Sequence, residues 1–113
     1  MTANIELEDC KDYSIMHLSG DFNGVDENDA LYASFRELSK AGKDKLIVDL
    51  KEVVYLNSAS MGVLLSGNAM ITKNVGKMVL YSANDYLMNL FNITKLNIAI
   101  PVVRYKDEAL ELL

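Results

Sequence analysis

The central part of the chain reads Val48-Asp49-Leu50-Lys51-Glu52-Val53-Val54-Tyr55-Leu56-Asn57-Ser58-Ala59-Ser60-Met61-Gly62-Val63-Leu64-Leu65, and this order of apolar and polar residues predicts its architecture. Residues 46–50 are nearly all apolar, which is typical of a central parallel strand covered on both faces. A second apolar run, residues 53–56, leads into a group of small polar residues. Apolar residues then recur at helical spacing and predict a helix over residues 60–75 that Gly76 ends.

Strands and helices alternate on both sides of this segment. Upstream, two short runs predict an opening β-hairpin, and a loop at residues 20–24 leads to the first helix. The predicted elements are, in order, strands at 5–9 and 13–19, a helix at 26–41, a strand at 46–50 with a second apolar stub at 53–56, a helix at 60–75, a strand at 77–82, a helix at 84–91, a strand at 98–103 and a helix at 107–113. The order β-β-α-β-α-β-α-β-α predicts one α/β domain over residues 1–113. Right-handed crossovers imply a mixed, mostly parallel sheet of about four to five strands, flanked by α-helices.

The composition excludes several classes of protein. The chain has 113 residues, 11 Lys and Arg against 16 Asp and Glu, and a formal net charge of −5. The basic residues are scattered and form no stripe, so we expect neither nucleic acid nor an anionic membrane as the main partner. The N-terminal segment is acidic, and no apolar run approaches the ~20 residues that span a bilayer, which predicts a cytoplasmic protein.

Few side chains of this sequence indicate catalysis or cofactor binding. The chain has one cysteine, Cys10, and one histidine, His17, so a Cys/His metal site is not available. Cys10 is interpreted as a small buried hydrophobe, and His17 as a packed or surface residue of a strand. No phosphate-binding glycine loop can be recognised, and no nucleophile is placed beside a base. We therefore expect a protein that is not an enzyme and that holds no cofactor and no metal.

The small polar residues before the second predicted helix have two interpretations. Asn57 or Ser58 is expected to cap the helix, because its side chain can accept a hydrogen bond from a free backbone N–H of the first turn. In the second interpretation, the same helix start is an anion-binding site. A phosphate on Ser58 would meet unpaired N–H groups and the positive end of the helix dipole, and it would add about −1.5 to −2 charges where a partner can detect them.

This segment resembles the anti-sigma-factor antagonist family, the STAS domain, whose signature is an Asp-Ser-Ser/Ala-Gly-Leu-Gly run at a helix start. Here the run is Asn57-Ser58-Ala59-Ser60-Met61-Gly62, which agrees at the first serine, the small residue after it and the last glycine. Three more segments are similar to the family, namely Val48-Asp49-Leu50, Gly20-Asp21-Phe22-Asn23 and Gly76-Lys77-Met78-Val79-Leu80. The resemblance extends over nearly the whole chain, from about Glu6 to Leu112.

The resemblance implies a partner-switching regulator of transcription. In this family the unphosphorylated domain binds an anti-sigma factor, often a serine-protein kinase, and so releases a sigma factor to RNA polymerase. The kinase phosphorylates the signature serine, here Ser58, and binding is lost until a serine phosphatase removes the phosphate. We expect the partner-binding residues to be Asp21, Phe22, Asn23, Asn57, Ser58, Ala59, Ser60 and Met61, together with the exposed face of the helix that follows. An exposed Met61 would fit such a contact, whereas a buried Met61 would indicate ordinary packing.

Three residues depart from the family pattern. Asn57 and Asn23 stand where the family has aspartate, which removes negative charge near Ser58. Ser60 replaces a glycine and is a second candidate for phosphorylation. Two alternative functions remain open. The first is a constitutive STAS scaffold or interaction subunit without a phospho-switch, and the second is a module that binds a small anion or nucleotide at the same helix start.

Overall fold

A computed structural model describes residues 2–113, and in this range it contains five strands and five helices. The strands are β1 Asn4–Asp9, β2 Ser14–Phe22, β3 Lys45–Leu56, β4 Lys77–Tyr81 and β5 Val102–Val103. The helices are α1 Val25–Lys40, α2 Ser58–Ile71, α3 Asp85–Thr94, α4 Leu96–Ala99 and α5 Lys106–Leu112. The strands lie side by side in chain order; β1 is antiparallel to β2, and the other neighbouring pairs are parallel. The predicted mixed, mostly parallel α/β fold is confirmed.

Alternating side chains of the sheet contribute to two cores. In β3, Val48 and Leu50 belong to the larger core, whereas Ile47 belongs to the smaller one. Because successive side chains of a strand point to opposite faces, the two cores lie on opposite sides of the sheet. Buried residues of α1, α2, α3 and α4 complete the larger core, and Ala109 of α5 completes the smaller one. The domain therefore has three layers, with the sheet in the middle.

Helices α1 and α2 pack closely within the larger core. A Cβ atom at Gly67 of α2 would lie 2.5 Å from the ring of Phe35 in α1, which is closer than side chains approach. Glycine at this position therefore leaves room for the Phe35 ring against the α2 backbone. This contact fixes the relative position of the two helices whose first turns form the candidate site.

Two predicted boundaries around the central segment are wrong. Residues 46–50 and 53–56 belong to one continuous strand, β3. Lys51 and Glu52 lie between them and are exposed, next to an irregularity in the pairing of β2 with β3. Helix α2 begins at Ser58 rather than residue 60 and ends at Ile71, so Val75, the last residue of the predicted helix, lies outside it and is 81% exposed. The chain turns back after α2 so tightly that a Cβ atom at Gly76 would lie 1.9 Å from the carbonyl oxygen of Ile71.

Two further boundaries differ near other strands. The predicted loop at residues 20–24 is partly a strand, since β2 continues through Phe22. The predicted strand at residues 98–103 is reduced to Val102–Val103, because Lys95 adopts a left-handed conformation that ends α3 and is followed by the short helix α4. Pro101, which cannot donate a hydrogen bond to a neighbouring strand, favours an edge position here, and β5 is indeed the last strand of the sheet.

The C-terminal ends of β2 and β3 meet at one end of the sheet, where Phe22 pairs with Leu56. Helices α1 and α2 begin directly after these two strands. The carboxyl ends of parallel strands are where α/β proteins place most binding sites. Within residues 2–113, each helix is too short or too polar to span a bilayer.

Candidate functional site

The candidate site is built around the start of α2, and Asn57 is the residue that caps this helix. Its side-chain Oδ1 accepts a hydrogen bond from the backbone N–H of Ser60 at 2.9 Å. In return, the Ser60 hydroxyl accepts from the backbone N–H of Asn57 at 3.2 Å, which completes a capping box. Of the two predicted capping residues, Asn57 is therefore confirmed.

Ser58 is the first residue of α2, and it is exposed. Among residues 2–113, its hydroxyl has no hydrogen-bond partner. The first turn of α2 also contains no acidic residue. A hydroxyl in this place is accessible to an enzyme from solvent, and it sits at the positive end of the helix dipole without a neighbouring carboxylate on the same turn.

Ser60 lies only two residues further on, but its surroundings are the opposite of those of Ser58. It is 0% exposed, and three acceptors surround its hydroxyl: the carbonyl oxygen of Phe22 at 2.6 Å, Asn28 Oδ1 at 2.8 Å and Asn57 Oδ1 at 2.9 Å. The prediction of Ser60 as a second phosphorylation site and as a partner contact is corrected here. A hydroxyl sealed in the interior can reach neither a kinase nor a partner unless the site unfolds.

Asn28 completes this group of polar atoms, and it was not among the predicted site residues. It lies on α1, it is buried, and its Nδ2 donates to Asn57 Oδ1 at 3.2 Å. We call the Phe22 carbonyl, Asn28, Asn57 and Ser60 the Ser60 network. A signal for Asn28 exists in the sequence, because this polar residue occupies the same helical stripe as Leu31, Phe35 and Leu38.

The other predicted contact residues divide between surface and interior. Asn23 and Ala59 are exposed, and Asp21 is half-buried at the end of β2. Phe22 and Met61 belong to the larger core, where Phe22 is 0% and Met61 6% exposed. The predicted partner contacts of these two side chains are corrected, because their apolar groups point inward. Met61 is a packing residue.

The exposed side of α2 extends the surface around Ser58. We define the Ser58 face as Ser58, Ala59, Gly62 and Leu65, which are all exposed and follow helical spacing. A Cβ atom at Gly62 would meet no other atom within 4 Å, so this part of the helix is open to a partner. Exposed Leu65 adds apolar area of the kind that protein interfaces bury.

Two exposed tyrosines lie at the same end of the sheet and were not predicted. Tyr55, near the end of β3, stacks on Tyr86 in the first turn of α3, with ring centroids 6.2 Å apart and an angle of 17° between the rings. Tyr55 is paired with Asp21 in the register of β2 and β3. Sequence spacing gives no signal for this pair, because the two residues meet only after the sheet has formed.

A second polar cluster lies within the sheet, on the face covered in part by α5. His17 Nδ1 is 2.8 Å from Asp49 Oδ2, and His17 Nε2 is 2.8 Å from Glu8 Oε1. Burial lowers the pKa of His17, but hydrogen bonds to Glu8 and Asp49 and the charges of both carboxylates outweigh it, so the pKa is raised. The hydrogen bond to His17 lowers the pKa of Glu8. His17 is a half-buried strand residue that joins β1, β2 and β3, and in residues 2–113 no group of His, Cys, Asp and Glu is arranged to hold a metal ion.

The fold is an α/β domain with its strands in chain order and helices on both faces of the sheet. Its candidate site is the start of α2, which a polar turn caps. The family model of the STAS domain matches residues 4–109, so the chain belongs to the STAS domain family. The resemblance found in the sequence is thereby confirmed.

Solved structures show the same fold at low sequence identity. An anti-sigma factor antagonist from Mycobacterium paratuberculosis is 20% identical with a TM-score of 0.86, and the match covers 97% of this chain and 92% of that one. An anti-sigma-factor antagonist (STAS) domain protein from Planctomyces limnophilus is 18% identical with a TM-score of 0.79, covering 95% of each chain. The anti-sigma factor antagonist SpoIIAA in its unphosphorylated form is 14% identical with a TM-score of 0.73, covering 96% of each chain. The Bacillus cell fate determinant SpoIIAA has also been solved in the phosphorylated form, at the same identity and TM-score.

Proposed function

We propose that this chain is an anti-sigma factor antagonist that switches partners through phosphorylation of Ser58. The observation that carries the proposal is the placement of the Ser58 hydroxyl, which is exposed on the first residue of α2 behind a complete capping box. Two similar structures support it, because SpoIIAA exists in an unphosphorylated and a phosphorylated form. The protein is a non-enzymatic binding module that holds no cofactor and acts in the cytoplasm.

A phosphate on Ser58 would be stabilised by its own helix and would oppose a bound partner. The helix start offers backbone N–H groups and the positive end of the dipole to an anion. On a protein contact surface, the same dianion must lose water and approaches the partner's own groups at close range. A hundredfold loss of affinity corresponds to only about 2.8 kcal/mol, which a buried dianion readily exceeds.

The partners follow from this switch. Unphosphorylated, the protein binds an anti-sigma factor that is also a serine-protein kinase, and this binding frees a sigma factor for transcription. Phosphorylation ends the complex, and a serine phosphatase restores the binding form. The contact surface consists of the Ser58 face with Asn23, Asp21 and Asn57, and no direct contact with nucleic acid or membrane takes part.

One observation favours a second function, that of a constitutive STAS scaffold. The two positions where the family has aspartate, 23 and 57, carry neutral asparagine. Asn57 serves as the cap of α2. Because both side chains are neutral, neither residue supplies negative charge beside Ser58 for a kinase to recognise. In this function the protein binds its partner whether or not Ser58 carries a phosphate.

Phosphate transfer onto the purified protein tests the proposed residue. We expect a soluble extract of the native cells, supplied with ATP, to phosphorylate the wild type, and peptide mass spectrometry to locate the phosphate on Ser58. Ser66→Ala is the matched control, since Ser66 is an exposed serine on the same helix. Phosphate uptake by Ser58→Ala equal to that of the wild type would show that Ser58 is the wrong residue.

A binding measurement separates the switch from the scaffold. Calorimetry with the anti-sigma factor is expected to show an affinity about a hundredfold lower for Ser58→Asp than for the wild type. Asn74→Asp, at an exposed position beyond the C-terminal end of α2, is expected to bind normally. Equal affinity of the wild type and Ser58→Asp, with both variants folded, would support the constitutive scaffold and contradict the switch.

A further inference from the structure

The Ser58 face offers few side chains that could hold a partner in place. Of its four residues, only Leu65 has a large side chain, and the proposed contact surface as a whole contains no aromatic residue. Interfaces between proteins draw most of their binding free energy from a few large side chains, and tyrosine is enriched among these. The side chains that anchor a partner must therefore lie next to this surface.

The stacked rings of Tyr55 and Tyr86 lie beside the proposed contact surface. Tyr55 precedes Ser58 by three residues, and three residues of extended chain span at most about 11 Å. Tyr55 is also paired in register with Asp21, which belongs to the proposed contact surface. A circular patch of about 800 Å², the usual size of one side of a stable interface, has a radius of roughly 16 Å. An interface of ordinary size centred on Ser58 therefore extends to the tyrosine pair.

Both rings are open to solvent, and each is supported by the other. Tyr55 is 39% and Tyr86 49% exposed, and Val54, the neighbour of Tyr55 in β3, is 51% exposed. The ring carbons and the methyl groups of Val54 give this patch an apolar character. Because the two rings are already stacked, with 6.2 Å between their centroids, a partner that packs on them has little side-chain freedom left to remove.

We propose that Tyr55 and Tyr86 form the aromatic anchor of the complex, on which the anti-sigma factor packs an apolar side chain while it covers Ser58. Burial of the exposed ring carbons and of Val54 against an apolar group removes them from water and stabilises the complex. The inference rests on the proposed function in that it takes the anti-sigma factor as the partner. It does not require that Ser58 is phosphorylated, because the anchor acts in the unphosphorylated complex.

Calorimetry with the purified anti-sigma factor tests the anchor in the full chain. Tyr86→Ala is expected to bind about tenfold to thirtyfold more weakly than the wild type, which is the loss typical of an interface anchor. Tyr86→Phe keeps the ring and is expected to bind like the wild type. Val75→Ala is the matched control, since Val75 is an exposed apolar residue beyond the C-terminal end of α2, and it is expected to bind normally.

Two further measurements examine the pair and its apolar character. Tyr55→Ala is expected to weaken binding too, and the double variant should lose less than the product of the two single losses, because each ring supports the other. The loss in Tyr86→Ala should be the same at low and at high salt. A loss seen only at low salt would contradict the inference, since it would indicate a cation of the partner on the ring.

Equal affinity of Tyr86→Ala and the wild type, with the variant folded, would overturn the inference. A loss in Tyr86→Phe as large as that in Tyr86→Ala would overturn it as well, because the hydroxyl rather than the ring would then be the contact. The proposed switch is judged separately by Ser58→Asp. Normal binding by Ser58→Asp together with weak binding by Tyr86→Ala would contradict the switch and support the anchor, and the reverse result would support the switch and contradict the anchor.

Discussion

Helices α2 and α3 begin in nearly the same way, yet they differ at their first and third residues. Each follows an asparagine in extended conformation, and the Oδ1 of that residue accepts the backbone N–H three residues later, at 2.9 Å for Asn57 and 2.8 Å for Asn84. The first helical residue is Ser58 in α2 and Asp85 in α3.

The same cap geometry precedes a charged first residue in α3 and a neutral one in α2. In α3 the first residue carries a permanent carboxylate, which the helix dipole stabilises. In α2 the same position carries a neutral hydroxyl, and the first turn has no acid. An anion at this position therefore requires no new backbone conformation, and phosphorylation of Ser58 would convert the start of α2 into the electrostatic equivalent of the start of α3.

The third position after the cap differs in a second way. In α2 it is Ser60, whose hydroxyl joins the interior network, and in α3 it is Leu87, which packs in the larger core. Asn84 has one further contact, from its Nδ2 to the carbonyl oxygen of Val53 at 3.4 Å. The cap of α2 is therefore linked to two buried polar side chains, Asn28 and Ser60, whereas that of α3 has one backbone carbonyl contact beside the apolar packing of Leu87.

Of the substitutions considered, removal of the two caps should change the stability most, and the two losses should differ in size. Asn84→Ala is expected to lower the free energy of unfolding by about 1 kcal/mol, the usual value of an N-cap. Asn57→Ala should cost about 2–4 kcal/mol, because loss of the cap also leaves buried donors of Asn28 and Ser60 unsatisfied. Urea unfolding of both variants measures the difference, and equal losses would show that the Ser60 network adds nothing to the cap.

Exchanging the first helical residues should have a smaller and opposite effect on the two helices. Ser58→Asp is expected to raise the free energy of unfolding by about 0.3–1 kcal/mol, and Asp85→Ser to lower it by a similar amount. Both changes should shrink at high salt, which screens exposed charges. Urea unfolding at low and high salt tests this, and a destabilised Ser58→Asp would mean that α2 does not accept an anion where α3 does.

A still smaller effect concerns pH and should be independent of both helix starts. The pKa of His17 is raised in the folded protein, so His17 contributes stability that is present below the unfolded pKa and lost as the pH rises through the folded pKa. Between about pH 5.5 and about pH 8.5, the wild type should therefore lose stability relative to His17→Gln as the pH rises. Urea midpoints at both pH values provide the measurement.

Other variants show whether the pH dependence of stability originates at His17. The imidazole contacts Glu8 of β1 and Asp49 of β3, and Lys51 Nζ lies 3.8 Å from the Asp49 carboxylate. Glu6 and Glu52 line the same surface pocket as His17, and Lys106 of α5 acts on Glu8. The Ser60 network contains no titratable side chain, so Asn57→Ala should show the same pH dependence as the wild type. A pH dependence that survives in His17→Gln would place its origin elsewhere.

The sequence predicts the order of elements well because that order follows from local periodicity. It misjudges β3, where Lys51 and Glu52 interrupt the apolar run without interrupting the strand, since their side chains find solvent at an irregularity in the sheet. It extends α2 as far as Val75 because an apolar residue at helical spacing suggests burial, whereas the turn at Gly76 leaves this one exposed.

The candidate site is only half visible in the sequence. The position of Ser58 at a helix start follows from the residues around it, and the structure has it there. Burial of Ser60 and the role of Asn28 depend on hydrogen bonds that span 38 and 32 residues of sequence. The stacking of Tyr55 on Tyr86 likewise requires that the sheet and α3 are already in place. Contacts of this kind are set by tertiary structure, which local spacing does not encode.

The strand order β1-β2-β3-β4-β5 has a consequence for the growing polypeptide on the ribosome. Each strand from β2 onward finds its sheet neighbour already synthesised, so the sheet can lengthen by one strand at a time without waiting for distant residues. Phe22, Asn28 and Asn57, whose oxygens surround the Ser60 hydroxyl, all leave the ribosome before Ser60 does. The hydroxyl of Ser60 thus has its acceptors in place when it emerges, whereas Ser58 stays exposed at the surface.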